Sequence, residues 1–265
     1  PQLGKVEDNL ITMGKYIDQI CNQQNVDLIV FPELATTGYE LGLRFTDVAE
    51  RPGGHAVNLL AQRAADYNTH IVFGLVTKEK VESTIYNAAV LVGPDGEMLG
   101  EYRKLHLPGE ERLAFRPGYR LTTFETTFGL LGILLGWDLA FPEAARSLAL
   151  DGAEVLCLCA NWGHAPAKDR AVFVEEWRTY NQARASENAL FVVASNRIGE
   201  EYSYRFIGDS MVVGPRGEIY ASIDEEIEGY AVATIDLDTV RKTREESQLI
   251  QCRVPSAYRA IVRKY

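Results

Sequence analysis

The run Leu28-Ile29-Val30-Phe31-Pro32-Glu33 decides how the rest of the chain is read. Apolar and β-branched side chains follow one another without a polar break, so residues 26–31 read as a strand buried on both faces. Pro32 has no amide hydrogen to continue a ladder, and it ends the strand on a carboxylate, Glu33. The pattern has an echo. Residues 130–135 form a second apolar run, and the chain then reaches Phe141-Pro142-Glu143, where proline suits the first turn of a helix. Ahead of the first run, Val6, Leu10, Met13, Ile17 and Ile20 recur at helical spacing, which predicts an amphipathic helix over residues 5–24.

Working outward, the pattern predicts a helix over 54–67 and a strand over 70–76. A hairpin follows over 86–92 and 97–103, turned by Gly93-Pro94-Asp95-Gly96, whose proline and glycine positions suit a type I turn. Residues 105–120 read as loop. Strands are expected at 155–160 and 190–195, with a long helix at 169–187 between them. A second hairpin is expected over 206–213 and 218–222, turned by Gly214-Pro215-Arg216-Gly217. A last strand over 230–235 and a helix from Asp238 complete the series, and the irregular tail from Glu246 reads as an arm that packs on a partner. Strand–helix alternation broken by two like hairpins predicts a pseudo-repeated α/β layout, two mixed sheets covered by helices. No linker or low-complexity stretch divides the chain, so one domain over residues 1–265 is expected.

Composition narrows the function. The chain has 265 residues, 46% of them hydrophobic, enough for a large core. With 27 basic and 37 acidic residues it carries a formal charge of −10, which argues against nucleic acid or an anionic membrane as partner. No apolar run approaches the roughly 18 residues that span a bilayer. Cys21, Cys157, Cys159 and Cys252 have no disulfide-framework spacing, so reduced thiols and a cytoplasmic location are expected. No signal peptide is visible, and the start at Pro1, almost directly before a helix, suggests a missing preceding segment.

Phosphate-loop, dinucleotide, zinc-protease and nucleophile-elbow motifs are absent. Cys157-x-Cys159 lies in an apolar run without a second ligand pair and reads as two small buried residues, not a zinc site. His106 and His164 fall in loops near the suspected site, whereas His55 and His70 read as structural or surface residues. The informative groups are charges at strand ends. Glu33 stands at the rim of a sheet, where α/β folds bind ligands, and burial there would raise its pKa toward that of a general base. The alternative is a surface turn glutamate. Lys104, after the 97–103 strand, is placed to stabilise an oxyanion. The alternative is a solvated strand-end lysine.

Together these segments resemble the nitrilase superfamily of carbon–nitrogen hydrolases. The resemblance runs through Phe31-Pro32-Glu33 and Thr37-Gly38-Tyr39, then Tyr102-Arg103-Lys104-Leu105-His106-Leu107, and Glu111 before Phe115-x-Pro117-Gly118. It continues through residues 132–143, Arg184-Ala185-x-Glu187-Asn188, Asn196-Arg197, Gly208-x-Ser210 and Arg253-Val254-Pro255-Ser256-Ala257-Tyr258. The resemblance implies a four-layer α-β-β-α sandwich that assembles as a homodimer or larger homo-oligomer. It implies a small-molecule amide substrate and no metal or organic cofactor. It assigns Glu33 as general base, Lys104 as transition-state lysine and Glu111 as the second glutamate that positions substrate and lysine. Members of the superfamily usually begin with a strand ahead of the first helix, so its absence here again suggests a trimmed start.

One position departs from the pattern. The nucleophilic cysteine that would form an acyl-enzyme belongs where this chain has Gly136. Glycine has no group to attack with, and no other cysteine matches; Cys159 is a poor substitute below the pocket. Gly136 is either a deliberate substitution in an otherwise competent enzyme or a natural loss in a pseudoenzyme that binds a ligand or partner. The intact Glu33, Lys104 and Glu111 favour substitution. Attack by water activated by Glu33 in the space left by the thiol would be slow. Trp137-Asp138 resembles the amide- and carbamoyl-cleaving branches more than the nitrile-cleaving ones, where Trp-Glu is usual. A small aliphatic or carbamoyl amide is therefore the expected substrate, with a nitrile as the alternative. Tyr39, Trp137, Asn161, Trp162 and His164 are expected to line its pocket, core packing being the alternative for Trp162. Arg146, Arg170 and Arg205 are candidates to clamp a substrate carboxylate.

Overall fold

The apolar stripe of the first helix, α1 (Val6–Gln23), buries Leu10, Met13, Ile17 and Ile20. It packs beside α3 (His55–Tyr67), which buries Ala56, Val57, Leu60, Ala61 and Ala64. Both helices lie on one face of a mixed sheet in the order β1 (Leu28–Val30), β2 (His70–Lys78), β3 (Ile85–Val92), β4 (Met98–Arg103). β1 runs parallel to β2, and the other pairs are antiparallel. Side chains alternate across a strand. Ile71, Phe73, Val90 and Val92 therefore pack with α1 and α3, while Val72, Ala89 and Leu91 face the other way into the main core. A slip of one residue would invert every one of these, so the two buried faces fix the register.

Opposite Val72 and Leu91 lies the second sheet, residues 1–81, 84–223 and 226–263 being described in this computed structural model. Its order is β13 (Ile219–Ser222), β12 (Met211–Val213), β9 (Phe191–Asn196), β7 (Val155–Ala160), β6 (Leu130–Leu135), β5 (Phe124–Glu125). β7 is parallel to both neighbours and wholly buried, as its continuous apolar sequence requires. The outer face of this sheet is covered by α5 (Pro142–Leu150), packed on β6, and α6 (Arg170–Asn188), packed on β9. The layers are thus α-β-β-α, the expected sandwich of two mixed sheets. A third, small sheet joins β10 (Ile198–Glu200), β11 (Arg205–Ile207) and β8 (Gly163–His164). The remaining helices are the one-turn α2 (Phe45–Val48) and α4 (Glu111–Ala114), and α7 (Asp238–Ser247).

Most expected elements stand within two or three residues of their bounds, but several differ. Residues 105–120 are not all loop, because α4 makes one turn there. The strand expected over 206–213 is two strands in different sheets, β11 and β12. Gly208 (φ +69°) and Asp209 (φ +58°) adopt the left-handed conformation between them and turn the chain from one sheet to the other. Residues 230–235 form no strand. A strand needs a neighbouring backbone, and a cavity of about 790 Å³, lined by Leu28 and Val30 on one wall and Tyr230, Ala233 and Ile235 on another, separates this segment from the free edge of β1. The tail after α7 holds two short 3-10 turns, Pro255–Ala257 and Arg259–Val262; its last two residues lie outside the described ones.

One close approach in the first sheet bears on Glu33. After β1 the chain continues along β2, with Phe31 N–H donating to Val72 O (2.8 Å) and Gly74 N–H donating to Pro32 O (3.2 Å). A Cβ on Gly74 would lie 2.6 Å from Glu33 Cα and closer still to Leu34 N, so only glycine lets Glu33 lie against the sheet. Gly74→Ala is therefore expected to destabilise the protein by about 1–3 kcal/mol through overpacking. Urea unfolding should show a lower midpoint with an unchanged m value.

Candidate active site

Four strand ends supply the site, two from each large sheet. Glu33 follows β1, and Lys104 follows β4, its amide donating to Asn87 O of β3 (2.9 Å). Gly136 directly follows β6 and Asn161 directly follows β7. Glu111 comes from the first residue of α4. The apolar runs that build the sheets thus deliver these residues to one place.

There, Lys104 Nζ donates to Glu33 Oε1 (2.6 Å) and to Glu111 Oε1 (2.8 Å). Glu33, Lys104 and Glu111 are 1%, 2% and 7% exposed, so an ammonium lies buried between two carboxylates. Asn87 Nδ2 donates to Glu33 Oε1 (2.7 Å) and, at 3.5 Å, to Glu111 Oε2. The other Glu33 oxygen, Oε2, accepts from Asn161 N (3.1 Å), while Asn161 Nδ2 donates to Glu33 O (2.9 Å). Tyr39 Oη donates to Glu111 Oε1 (2.7 Å).

Burial pushes the Glu33 carboxyl above the usual range; the Lys104 ammonium opposes this and Glu111 adds to it. Burial alone would lower the Lys104 pKa, but the two carboxylates outweigh it and hold the ammonium charged well above its ordinary range. Burial and the neighbouring Glu111 and Glu33 keep Tyr39 protonated as a donor. The cluster therefore combines a carboxylate with raised proton affinity and a fixed positive charge. An ammonium has three donors and two are used by carboxylates, which leaves one for an incoming oxygen.

Gly136 borders this cluster. It takes φ +42°, in the left-handed region, at the start of a 3-10 turn over Gly136–Ala140. A Cβ built there would lie 2.5 Å from Glu33 Oε2 and 3.3 Å from Oε1. In this chain the carboxylate thus occupies the room that a side chain at 136 would use. Cys159 does not fill the role. Its β7 position pairs with Leu135, and it is fully buried, with burial pushing the thiol well above its usual range, so it stays protonated.

The other expected lining residues divide. Tyr39 and Asn161 join the cluster directly. Trp137 is 37% exposed, and its ring meets Phe141 edge-on at 5.3 Å. Trp162 packs against Trp177 and Tyr180, each at 5.8 Å, and the His164 ring stacks on Phe173 at 5.3 Å. The three candidate arginines are engaged elsewhere. Arg146 donates to Glu187 O, Arg170 donates to Ile207 O, and Arg205 pairs with Glu200 and Glu226. Asn87 lies outside the residues expected from the sequence; its signal there is a lone amide inside the apolar run of β3. Among the described residues no three His, Cys, Asp or Glu side chains gather to hold a metal ion.

Residues 1–245 match the family model described as carbon-nitrogen hydrolase. A probable nitrilase from Schizosaccharomyces pombe is 36% identical, over 99% of this chain and 95% of that protein. An N-carbamoylputrescine amidase from Solanum tuberosum is 30% identical, over 97% of this chain and 90% of its own length. Among solved structures, a carbon-nitrogen hydrolase from Helicobacter pylori G27 superposes with a TM-score of 0.89 at 26% identity, covering 99% of this chain and 95% of the other.

Removing the cation from the cluster gives a test with a definite sign. In Lys104→Met, Glu33 and Glu111 remain buried without their counter-ion, and a loss of about 3–5 kcal/mol is expected at neutral pH. Without the ammonium that opposes burial, the folded-state Glu33 pKa would stand still further above its unfolded value, so the native state binds more protons than the unfolded state above about pH 4. Urea unfolding should show the variant losing stability as pH rises from 5 to 8, relative to the parent chain.

Proposed function

The chain belongs to the carbon-nitrogen hydrolase family, and we propose that it is an amidase scaffold for a small aliphatic or carbamoyl amide, lacking its nucleophile at Gly136. One observation carries this: a buried ammonium bridges two carboxylates, and one of those carboxylates borders the position where a sulfur would stand. The similarity to an N-carbamoylputrescine amidase supports the carbamoyl branch. The engaged state of Arg146, Arg170 and Arg205 supports a substrate without a carboxylate beside the scissile bond.

With cysteine at 136, the steps run as follows. Glu33 takes the thiol proton and sulfur attacks the carbonyl carbon, forming the C–S bond as the carbonyl electron pair moves to oxygen. The Lys104 ammonium and the Trp137 amide hold that oxyanion. Glu33 returns the proton to the departing nitrogen, which leaves as ammonia, and the thioester remains. Glu33 then activates water, which releases the acid and the thiolate. Glu111 orients Lys104 throughout and, with Tyr39 and Asn161, forms the polar side of the pocket. Trp137, Trp162 and His164, whose rings pack against Phe141, α6 and Phe173, stand outside this polar side. Homo-oligomeric assembly is part of the same proposal.

Glycine at 136 stops this sequence at substrate binding. Gly136→Cys is therefore expected to raise ammonia release from short aliphatic amides and N-carbamoyl amines by at least about 1000-fold over the parent chain. Glu33→Gln, Lys104→Ala or Glu111→Gln in the Gly136→Cys background should each return turnover to the parent level. A folded Gly136→Cys protein with a titratable thiol and no gain on any amide would refute the assignment, and a gain on nitriles alone would refute the substrate class.

A further inference from the structure

Lys104 and Trp137, the two proposed oxyanion donors, come from different sheets. Lys104 extends β4 of the first sheet, and Trp137 follows β6 of the second. Apolar contact between sheets is non-directional and does not by itself fix the distance between two polar groups to a fraction of an ångström. A directional link does exist between these two segments, and it passes through the side chain of Asp138. Asp138 is 0% exposed and both of its oxygens are fully engaged. Oδ1 accepts from His106 N (2.9 Å) and faces His106 Nδ1 (2.7 Å). Oδ2 accepts from Tyr102 Oη (2.7 Å) and Leu135 N (3.2 Å).

Tyr102 and His106 stand two residues either side of Lys104, and Leu135 and Asp138 bracket Gly136 and Trp137. The His106 ring also stacks on Phe141 at 3.6 Å, and Phe141 N donates to Asp138 O (3.1 Å), closing the far end of the 3-10 turn. Burial and the adjacent Asp138 keep the Tyr102 hydroxyl protonated, so it remains a donor. A carboxylate offers acceptors only, and each of the four groups around it is a donor or, as with His106 Nδ1, is able to be one. A carboxamide, with one donor end, does not fit this cage.

We propose that Asp138 is a positioning residue, a buried cross-link that holds the Lys104 ammonium and the Trp137 amide in register across the two sheets. It touches neither the carboxylate–ammonium cluster nor position 136, so its effect on chemistry is carried by the segments it ties. The inference rests on the amidase reading for its kinetic consequence and on geometry alone for the cross-link.

The test therefore has two arms. In the Gly136→Cys background, Asp138→Asn is expected to lower kcat for amide hydrolysis by about 100-fold, the cost of an ångström-scale misplacement, while KM stays within about 3-fold. Asp138→Glu, one methylene too long for the cage, should not rescue it. The double variant Tyr102→Phe/Asp138→Asn should be no slower than Asp138→Asn alone, since the two act as one unit. In the chain with Gly136, hydrogen exchange reads the cross-link without turnover. Asp138→Asn should speed exchange at the Lys104 and Phe141 amides by about 10-fold or more while the β7 amides keep their protection. Tyr102→Phe gives the milder form of the same change should Asp138→Asn fold poorly. Unchanged kcat in a folded variant, or loss of protection spread evenly over the chain, overturns the proposal. Absence of activity in Gly136→Cys itself overturns the amidase reading instead, and the exchange result then decides the cross-link alone.

Discussion

The Lys104 ammonium held between Glu33 and Glu111 is the interaction on which the rest of the site depends. Burying three charges is costly, and an apolar cluster of the same volume would serve stability as well or better. The arrangement is tolerable because each charge meets a partner. The ammonium has two carboxylates, the Glu33 oxygens have Lys104, Asn87 and the Asn161 amide, and Glu111 has Lys104, Tyr39 and Asn87. With all three groups ionised the cluster carries one negative charge in excess. Burial is why Glu33 holds a proton more readily than an ordinary glutamate; the Lys104 ammonium opposes this and Glu111 adds to it. A group poised in that way suits proton transfer, so the same burial that makes the cluster costly as a structural element fits it for chemistry.

The two-sheet sandwich makes this convergence possible. Glu33 and Lys104 are 71 residues apart, and Glu33 and Asn161 are 128 apart. They meet because β1 and β4 belong to one sheet, β6 and β7 to the other, and Val72 and Leu91 of the first sheet share a core with Ile133 and Leu156 of the second. Small residues mark where backbones must come close. Gly74 admits Glu33 against β2. Gly163 admits the backbone of Arg205, since a Cβ there would lie 2.5 Å from Arg205 O. Directional links then do what apolar packing cannot, and Asp138, with both oxygens engaged, is one of them.

Much of this is legible along the chain because it is local. The helical spacing of α1, the apolar runs of β1, β6 and β7, and the Gly-Pro hairpin turns each carry their own physical reason. Glu33 and Lys104 stand out as charges closing apolar strands. What is not local is harder to see. Asn87 looks like an accident in a strand until two carboxylates face it. Residues 230–235 carry an apolar pattern, yet a strand is a relation between two backbones, and among the described residues no ladder partner adjoins them. The break at Gly208-Asp209 has a visible signal, because glycine beside aspartate tolerates left-handed backbone, but the apolar residues on either side mask it. Trp162 shows the opposite case: an aromatic residue close in sequence to Asn161 whose ring belongs to the packing of α6.

Gly136 joins these threads. Its φ of +42° lies where a side chain costs roughly 1–2 kcal/mol, and a Cβ there would also crowd Glu33 Oε2. A cysteine at this position would therefore begin strained and would force the Glu33 carboxylate to turn. Glu33 can turn about its own side-chain bonds without losing Lys104, because Oε1 holds the ammonium while Oε2 is the oxygen in the way. The contact that must yield is the one to the Asn161 amide. In the glycine form that amide and Lys104 together pin the carboxylate, and the backbone strain is absent. The polar half of the site is thus assembled around Glu33 and Lys104 with glycine at 136.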